Sequence, residues 1–280
     1  MSKIKQFVKL FLPPVVFSIK HRLFPKHQKY GWFGDYKTWN DAMADSTGYD
    51  KDNILEKVKT TTIRLRENPT LFEYDTILKD STDYNWHILT FLLLVSKENK
   101  NNLDIIDYGG GLGNLYFQYR RFLNGIKVSW KIVEQPIFVN EGNRLFANNE
   151  LKFYNTIEEC FDPGSTHSIL LSGVIDILEK PYELISNIMS KKIHNIIFDR
   201  VSLQDIYGRD RITILKIYKE AYEAIIPCRI FDYNNFRKPF IDDYALLFEG
   251  FSKEKNIWVD NQIIEKKFLV FKLNKYSLCG

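Results

Sequence analysis

Hydrophobic positions recur with a helical period in the first hundred residues and with a shorter period after them. The segment DKDNILEKVKTTTIRLRENP has an apolar helical face and ends at Pro69, and NWHILTFLLLVSKEN predicts a second helix. The segment between residues 30 and 50 is rich in aromatic side chains and glycine. The pattern therefore predicts a helical, aromatic-rich cap over residues 30–100.

Short apolar runs alternate with helical segments after residue 101. Five of these runs predict strands: LDIIDY, KVSWKIVE, LKFY, HSILLS and HNIIFDRV. Strands joined by helical segments pair in parallel and are covered on both faces. The last two runs, YALLFEGFS and KKFLVFKL, are separated by a polar loop and predict a hairpin. The predicted fold class is α/β: a doubly wound, mostly parallel sheet of seven strands over residues 101–280, with a C-terminal antiparallel hairpin and an N-terminal helical extension.

The net charge of +4 is unevenly distributed along the chain. Seven basic residues precede the first acidic one, Asp35, and the remainder of the chain is mildly acidic. In the basic arm, residues 1–29, the apolar side chains recur at helical spacing opposite the lysines, which predicts a short amphipathic helix. Two interpretations stay open for this helix: packing on its own domain, or contact with an anionic membrane surface or a lipid-linked substrate.

Several classes of protein are not expected from this sequence. No apolar run reaches the roughly 18 residues of a transmembrane helix, and the N-terminus lacks a small-residue cleavage site. The three cysteines are scattered and lack ligand spacing, which indicates reduced thiols and no metal site. The dispersed basic residues outside the arm argue against nucleic-acid binding. We expect a cytoplasmic protein, peripheral to the inner membrane if the arm binds lipid.

Glycine is concentrated in one loop, which follows the first predicted strand and precedes a helix. The spacing is Asp107-x-Gly109-x-Gly111-x-Gly113, with a further glycine at Gly110. Such a loop exposes backbone N–H groups to a ligand at the carboxyl edge of a sheet. A dinucleotide fingerprint requires a third glycine where Asn114 stands, and no Gly-Lys-Ser/Thr follows for a phosphate loop. The spacing instead resembles the first motif of class I S-adenosylmethionine-dependent methyltransferases.

Polar residues after the next strands complete a predicted cofactor site. Glu134, followed by Gln135, ends the second strand, where a carboxylate can accept both ribose hydroxyls. A carboxylate at this position indicates a nucleoside cofactor, but it does not distinguish a dinucleotide from S-adenosylmethionine, because enzymes of both classes use one. By analogy, the residues after the third strand lie beside an adenine ring and those after the fourth lie where cofactor and substrate meet. The predicted residues there are Asn155, Thr156, Ser172 and Gly173.

Six segments together resemble a bacterial family of methyltransferases related to a Leptospira protein. They are YGWFGDYKTWNDAMADSTGYD, IIDYGGGLGNLYFQYRRFL, WKIVEQPIFV, LLSGVIDILEKPYELI, IIFDRVSL and YEAIIPCRIF. The resemblance runs from about Tyr30 to the C-terminus and departs at Tyr108, where Phe is common. It implies the class I fold with strand order 3-2-1-4-5-7-6 and S-adenosylmethionine as cofactor. It does not supply a substrate, although the frequent setting of the family among surface-polysaccharide biosynthesis genes suggests a small acceptor such as a sugar or a glycan precursor.

In methyl transfer the protein mainly positions the methyl donor and the acceptor. It needs a catalytic base only when the attacking atom of the acceptor carries a proton that must leave. The predicted catalytic residues are Asp199 as the base or its orienter, Arg200 as a holder of an anionic group, and Ser172. A mutual or structural salt bridge is the alternative for Asp199 and Arg200. The aromatic segment from Trp32 to Trp39 forms either a lid or part of the core, and His87 is expected in the core. A nicotinamide-dependent oxidoreductase and a non-catalytic binding protein remain the alternative functions, and the sequence does not fix the oligomeric state.

Overall fold

A computed structural model gives the fold. It describes residues 29–48, 51–68, 70–74, 77–79, 84–162, 168–205, 208–218, 224–260 and 262–274. The predicted amphipathic helix of the basic arm lies outside the described residues. No described helix has both the length and the apolar character needed to cross a bilayer.

The helices and strands of the described residues are the following. The strands are β1 (Gly31–Tyr36), β2 (Phe72–Tyr74), β3 (Ile77–Lys79), β4 (Asn102–Tyr108), β5 (Lys127–Val133), β6 (Leu151–Tyr154), β7 (Ser168–Ser172), β8 (Asn195–Gln204), β9 (Arg211–Ile217), β10 (Ala224–Asp232), β11 (Tyr244–Val259) and β12 (Gln262–Leu273). The α-helices are α1 (Trp39–Ala44), α2 (Lys51–Glu67), α3 (Trp86–Glu98), α4 (Asn114–Tyr119), α5 (Pro136–Leu145), α6 (Ile157–Cys160), α7 (Pro181–Ser190) and α8 (Tyr233–Arg237). Single 3₁₀ turns span Arg120–Phe122, Ile175–Ile177 and Lys238–Phe240.

Ten of these strands form one sheet in the order β10-β9-β1-β11-β12-β8-β7-β4-β5-β6. The five predicted strands are β4 to β8, and they pair in parallel with one another. The predicted hairpin is β11 and β12, which pair antiparallel with each other and, through β12, with β8. Because β4 leads to β5 and β6 on one side and neighbours β7 and β8 on the other, the strand order reverses between β4 and β7. Ligands of doubly wound sheets bind outside the carboxyl ends of the strands at such a reversal.

Three parts of the predicted fold are corrected. The sheet has ten strands rather than seven, because β1, β9 and β10 extend it beyond the hairpin. The N-terminal extension is not helical throughout, since Gly31–Tyr36 is a strand that pairs with β9 and β11. The polar segment expected as the hairpin loop is mostly strand, because β11 runs to Val259 and β12 begins at Gln262.

Six strands close into a ring that shares β8 with the parallel part of the sheet. A further pairing of β10 with β8, at Phe231 with Leu203 and Asp232 with Gln204, joins the two ends of the series β8-β12-β11-β1-β9-β10. Side chains alternate between the inside and the outside of such a ring. We call this assembly the six-stranded ring.

The parallel part of the sheet is covered on both faces by separate hydrophobic cores. Ile105 and Ile106, neighbours in β4, are both fully buried, one in each core. Helices α2, α3, α4 and α5 contribute to the first core, and α7 and α8 contribute to the second. Burying an aliphatic side chain of this kind stabilises the fold by about 1.5–3 kcal/mol. The helices of the predicted cap region thus share a core with the sheet.

Candidate active site

A cleft of about 1070 Å³ opens at the carboxyl edge of the sheet and continues into the mouth of the six-stranded ring. The strands β4, β5 and β6 end in register at Tyr108, Val133 and Tyr154. All of the predicted site residues except Gly113 line the cleft. They are Asp107, Gly109, Gly110, Gly111, Glu134, Gln135, Asn155, Thr156, Ser172, Gly173, Asp199 and Arg200.

The glycine loop leaves space on its cleft side. Gly111 has a φ of +58°, and a Cβ added there would meet only Val58, at 3.7 Å, so the space above it is open. A Cβ at Gly110 would instead lie 2.6 Å from the Asp107 carboxylate, so only glycine fits over that side chain. Gly113 faces the core and is the N-cap residue of α4, so it shapes the turn without touching the cleft. The loop therefore has an open, concave surface, and a side chain at Gly111 would fill it.

Asp107 is buried beneath this loop. The indole Nε1 of Trp130 donates to its Oδ2 at 3.0 Å. Burial raises the pKa of Asp107 to about 7, although the Trp130 hydrogen bond acts in the opposite direction. The Asp107 carboxyl therefore supports the glycine loop from below and holds its proton to a much higher pH than an exposed aspartate does.

Glu134 lies at the end of β5, half-buried and facing the glycine loop. Its Oε2 accepts from the Gln135 backbone N–H at 2.7 Å. Burial raises the pKa of Glu134, while backbone hydrogen bonds from Gln135 and Gly111 partly offset that rise. Gln135 is exposed and is the N-cap residue of α5, with Pro136 as the first residue of that helix.

Asn155 and Thr156 lie beside this carboxylate, because β6 neighbours β5. Both are exposed at the rim of the cleft. Thr156 is the N-cap residue of α6, where its Oγ1 accepts from the Glu159 N–H at 3.3 Å. The Asn155 N–H donates to the Glu159 carboxylate at 2.8 Å. These contacts give both residues a part in starting a helix, whatever else they bind.

Ser172 and Asp199 lie next to each other at the ends of β7 and β8. The Ser172 hydroxyl donates to Asp199 Oδ2 at 2.9 Å, and Asp199 Oδ1 is buried without a hydrogen bond. Burial raises the pKa of Asp199, while Arg200, Ser172, Asn85 and Lys266 act in the opposite direction. Asp199 lines the cleft, and a carboxylate oxygen without a direct hydrogen bond is suited to accept a proton from a ligand that reaches it.

Arg200 has a left-handed backbone, with a φ of +64°. Strand β8 continues past Asp199 and Arg200 to Gln204. The register with β12 shifts here, so that Asp199 and Arg200 together face Phe268, as in a β-bulge. The Arg200 guanidinium packs against Gly173, where an added Cβ would lie 2.4 Å from it. The bulge thus turns Asp199 and Arg200 toward the cleft within a continuous strand.

The sequence did not reveal a buried ion pair deeper in the cleft. Lys266 Nζ donates to Asp176 Oδ2 at 2.8 Å and to the Arg200 carbonyl at 3.0 Å. The Ser202 hydroxyl also donates to Asp176, at 2.6 Å. Burial alone lowers the pKa of Lys266, but Asp176 and other acidic groups outweigh it and raise that pKa. Lys266 and Asp176 lie far apart in sequence. They meet because β12 pairs with β8, which sets Lys266 opposite Ser202, and because β8 pairs with β7, which precedes the turn that carries Asp176.

Gln118, on α4, was also missed. Its side chain is buried and lines the cleft, and its Oε1 has no hydrogen-bond partner. The single glutamine carries no motif that distinguishes it from a core residue of the helix.

The predicted aromatic residues and His87 differ in where the structure places them. Of the predicted aromatic segment only Trp32 lines the cleft, and it packs against the inner wall of the six-stranded ring. Tyr36 donates to Asp45 at 2.8 Å outside the cleft. His87 is exposed rather than in the core, with its ring 5.6 Å from that of Phe248. The histidine faces outward because the buried side of α3 is formed by residues that follow it: Ile88, Leu89, Phe91, Leu92, Val95 and Ser96.

Comparisons with known proteins give only distant structural similarities. No family model matches the sequence, and no curated protein matches it. Among solved structures, PH0226 from Pyrococcus horikoshii has a TM-score of 0.44 and 11% identity, covering 70% of this chain and 93% of that one. The N-terminal domain of EvdMO1, crystallised with SAH and D-fucose, has a TM-score of 0.43 and 13% identity over 81% and 98% of the chains. Magnesium protoporphyrin IX methyltransferase from Synechocystis, with bound SAM, has a TM-score of 0.41 and 11% identity over 98% and 99%. Similarities this weak do not determine what this chain binds.

Proposed function

We propose that the protein is an S-adenosylmethionine-dependent methyltransferase acting on oxygen or nitrogen of a small acceptor. One observation carries the proposal: the open glycine loop after β4 and the Glu134 carboxylate after β5 face the same cleft at the reversal of strand order. A nucleoside cofactor with an amino-acid tail matches that pair of features, because the tail needs backbone space and the ribose needs a carboxylate. The Asp-x-Gly-x-Gly-x-Gly spacing favours this cofactor over a dinucleotide.

Each predicted residue has a part in holding the cofactor. Gly111 gives space to the amino-acid tail, Gly109 and Gly110 let the loop backbone pack closely over Val174 and Asp107, and Glu134 accepts from the ribose hydroxyls. Gln135, Asn155 and Thr156 border the adenine position. When bound, S-adenosylmethionine supplies a methyl group on a sulfonium, whose carbon–sulfur bond breaks as the acceptor atom attacks in line.

Residues at β7 and β8 act on the acceptor. Asp199 Oδ1 takes the proton that leaves the acceptor heteroatom. Ser172 holds the Asp199 carboxylate through its hydroxyl and, with Gly173, borders the reacting atoms. Arg200 stabilises the ionised form of Asp199, since its charge lowers the pKa of that carboxyl. A sugar-derived acceptor remains a prediction from the family resemblance alone.

Calorimetric titration with S-adenosylmethionine tests the proposal. A hydrogen bond to a charged group contributes roughly 1.5–3 kcal/mol, so Glu134→Ala should weaken binding by about tenfold or more. Glu183→Ala, at an exposed position of α7, should stay within about twofold of wild type. Failure of the wild-type chain to bind at millimolar cofactor sinks the proposal, and binding of reduced nicotinamide cofactor in its place would favour an oxidoreductase.

A further inference from the structure

Beyond the glycine loop, the cleft continues into the six-stranded ring, and its walls there are apolar. Side chains from β1, β9 and β10 form one layer, because Trp32 pairs with Leu215 and Leu215 pairs with Ile226. Ile177, after β7, packs against the same layer. We call this space the inner chamber. Its apolar lining residues are Trp32, Ile177, Leu215, Ile217, Ile226 and Cys228.

Two charged groups of the inner chamber, Lys266 and Asp176, are already engaged with the protein, and Lys216, Lys253 and Glu254 line other parts of the same cavity. Lys266 and Asp176 bond each other, and the remaining contacts of this pair go to the Arg200 carbonyl and to Ser202. A ligand hydroxyl placed against the apolar wall would lose its water without gaining a partner, which costs free energy for every hydroxyl buried. A free sugar carries many hydroxyl groups, so this wall disfavours it. An apolar ring gains from the same wall in proportion to the area that it buries.

One acceptor oxygen is available where the inner chamber meets the cofactor side of the cleft. Asp199 Oδ1 is buried and has no hydrogen bond, while Oδ2 is held by Ser172. It therefore offers a place for one ligand O–H. A phenolic hydroxyl, with a pKa near 10, is within reach of a carboxylate base, whereas an aliphatic hydroxyl is far less acidic.

We infer that the methyl acceptor is a phenol-like molecule, with an aromatic body in the inner chamber and one hydroxyl at Asp199. This inference rests on the proposed function and narrows its acceptor class. In the reaction the phenolic oxygen bonds to the methyl carbon as the carbon–sulfur bond breaks. The phenolic proton passes to Asp199, and S-adenosylhomocysteine leaves with the electron pair of the broken bond.

Binding of 2-naphthol to the full chain saturated with S-adenosylhomocysteine tests the inference, with methyl α-D-glucopyranoside as the sugar probe. We expect 2-naphthol to bind at least about tenfold more tightly than the glycoside, measured by calorimetry. Ile226→Trp, which fills the inner chamber, and Leu215→Ser, which makes its wall polar, should each weaken 2-naphthol binding by about tenfold or more. Ile263→Trp, on a side chain that is 52% exposed on β12, is the matched control and should stay within about twofold.

The two proposals fail separately. Equal or tighter binding of the glycoside, or 2-naphthol binding that neither chamber variant changes, overturns the inference about the acceptor. Loss of 2-naphthol binding counts only in a variant that retains wild-type affinity for S-adenosylmethionine, which excludes misfolding. Absence of cofactor binding in the wild-type chain overturns the proposed function itself.

Discussion

The Ser172 hydroxyl donates to Asp199 across the ends of two neighbouring parallel strands, at 2.9 Å. The strand register places the two side chains next to each other, because Ser172 of β7 is paired directly with Asp199 of β8. The contact occupies one oxygen of the carboxylate, and the other, Oδ1, is buried without a direct hydrogen bond, with the Asn85 side chain close enough to lower the pKa of the carboxyl. The Ser172 contact therefore fixes one oxygen of the carboxylate in place, which is consistent with the role of proton acceptor that we propose for Asp199.

Replacing Asp199 by Asn should lower kcat by about 10²–10⁴-fold, because the proton acceptor is lost. Cofactor affinity should stay within about twofold, since Glu134 and the glycine loop are untouched. In the wild type, turnover requires the carboxylate, so kcat should fall as the pH drops through the raised pKa of Asp199. Arg200 and Lys266, the cations near this carboxyl, keep their charge over that range.

The pH–rate profile checks this prediction for a phenolic or other protonated acceptor. The acidic limb should be present in wild type and in Asp242→Asn, an exposed control, and absent from Asp199→Asn. An unchanged acidic limb in Asp199→Asn would assign the base to another group.

The buried carboxyl of Asp107 makes stability depend on pH. Its pKa is raised from 3.8 to about 7 in the fold, so the folded state holds a proton that the unfolded chain has released. Stability therefore falls as the pH rises between these two values. Asp107→Asn keeps an acceptor for the Trp130 N–H. It removes the pH-dependent contribution of this carboxyl to the free energy of unfolding, which is on the order of a few kcal/mol.

Urea unfolding at pH 5 and at pH 7.5 measures the effect. The loss of unfolding free energy between the two pH values should be smaller in Asp107→Asn than in wild type. Glu134 and Asp199 also have raised pKa values, so wild type and variant are compared rather than wild type alone. Identical pH dependence in the two proteins would contradict the assignment.

The Lys266–Asp176 pair should contribute strongly to stability when one partner alone is removed. Both side chains are almost fully buried, at 6% and 4% exposure. Lys266→Met leaves a buried carboxylate without its counterion and should cost about 3–5 kcal/mol. The double variant with Asp176→Asn should regain most of this loss, because no uncompensated charge remains.

Lys272→Met provides the matched control for this cycle, since Lys272 lies on the same strand and pairs with Glu98 near the surface. Its loss should cost less than about 1 kcal/mol. Chemical denaturation of the four proteins gives the values. A double variant as unstable as Lys266→Met would show that packing, not charge, dominates at this site.

Sequence periodicity was sufficient for the parallel part of the sheet. The runs over β4 to β8 are short, apolar and bounded by glycine, proline or polar residues, and this pattern is local. The glycine loop and Glu134 were also found, because their positions are set by the strand that each follows. The glycine-loop side of the cleft is therefore encoded within single strand–loop–helix units.

The six-stranded ring could not be found in this way. Strand β1 pairs with β9 and β11, which lie about two hundred residues away in sequence, and no local pattern reports such pairing. The bulge at Arg200 was missed for the same reason, since it exists only relative to β12. The inner chamber, Lys266 and Asp176 all depend on those pairings.

Strand β8 is bonded to β7, β12 and β10, which has a consequence for synthesis of the chain on the ribosome. The parallel strands β4 to β7 can associate as they emerge, but β12, the last strand, must arrive before the ring can close. Contacts that span so much of the chain form slowly. Until then the aliphatic side chains of β9 and β10 remain open to solvent, and this is the interval in which the nascent protein is most prone to aggregate.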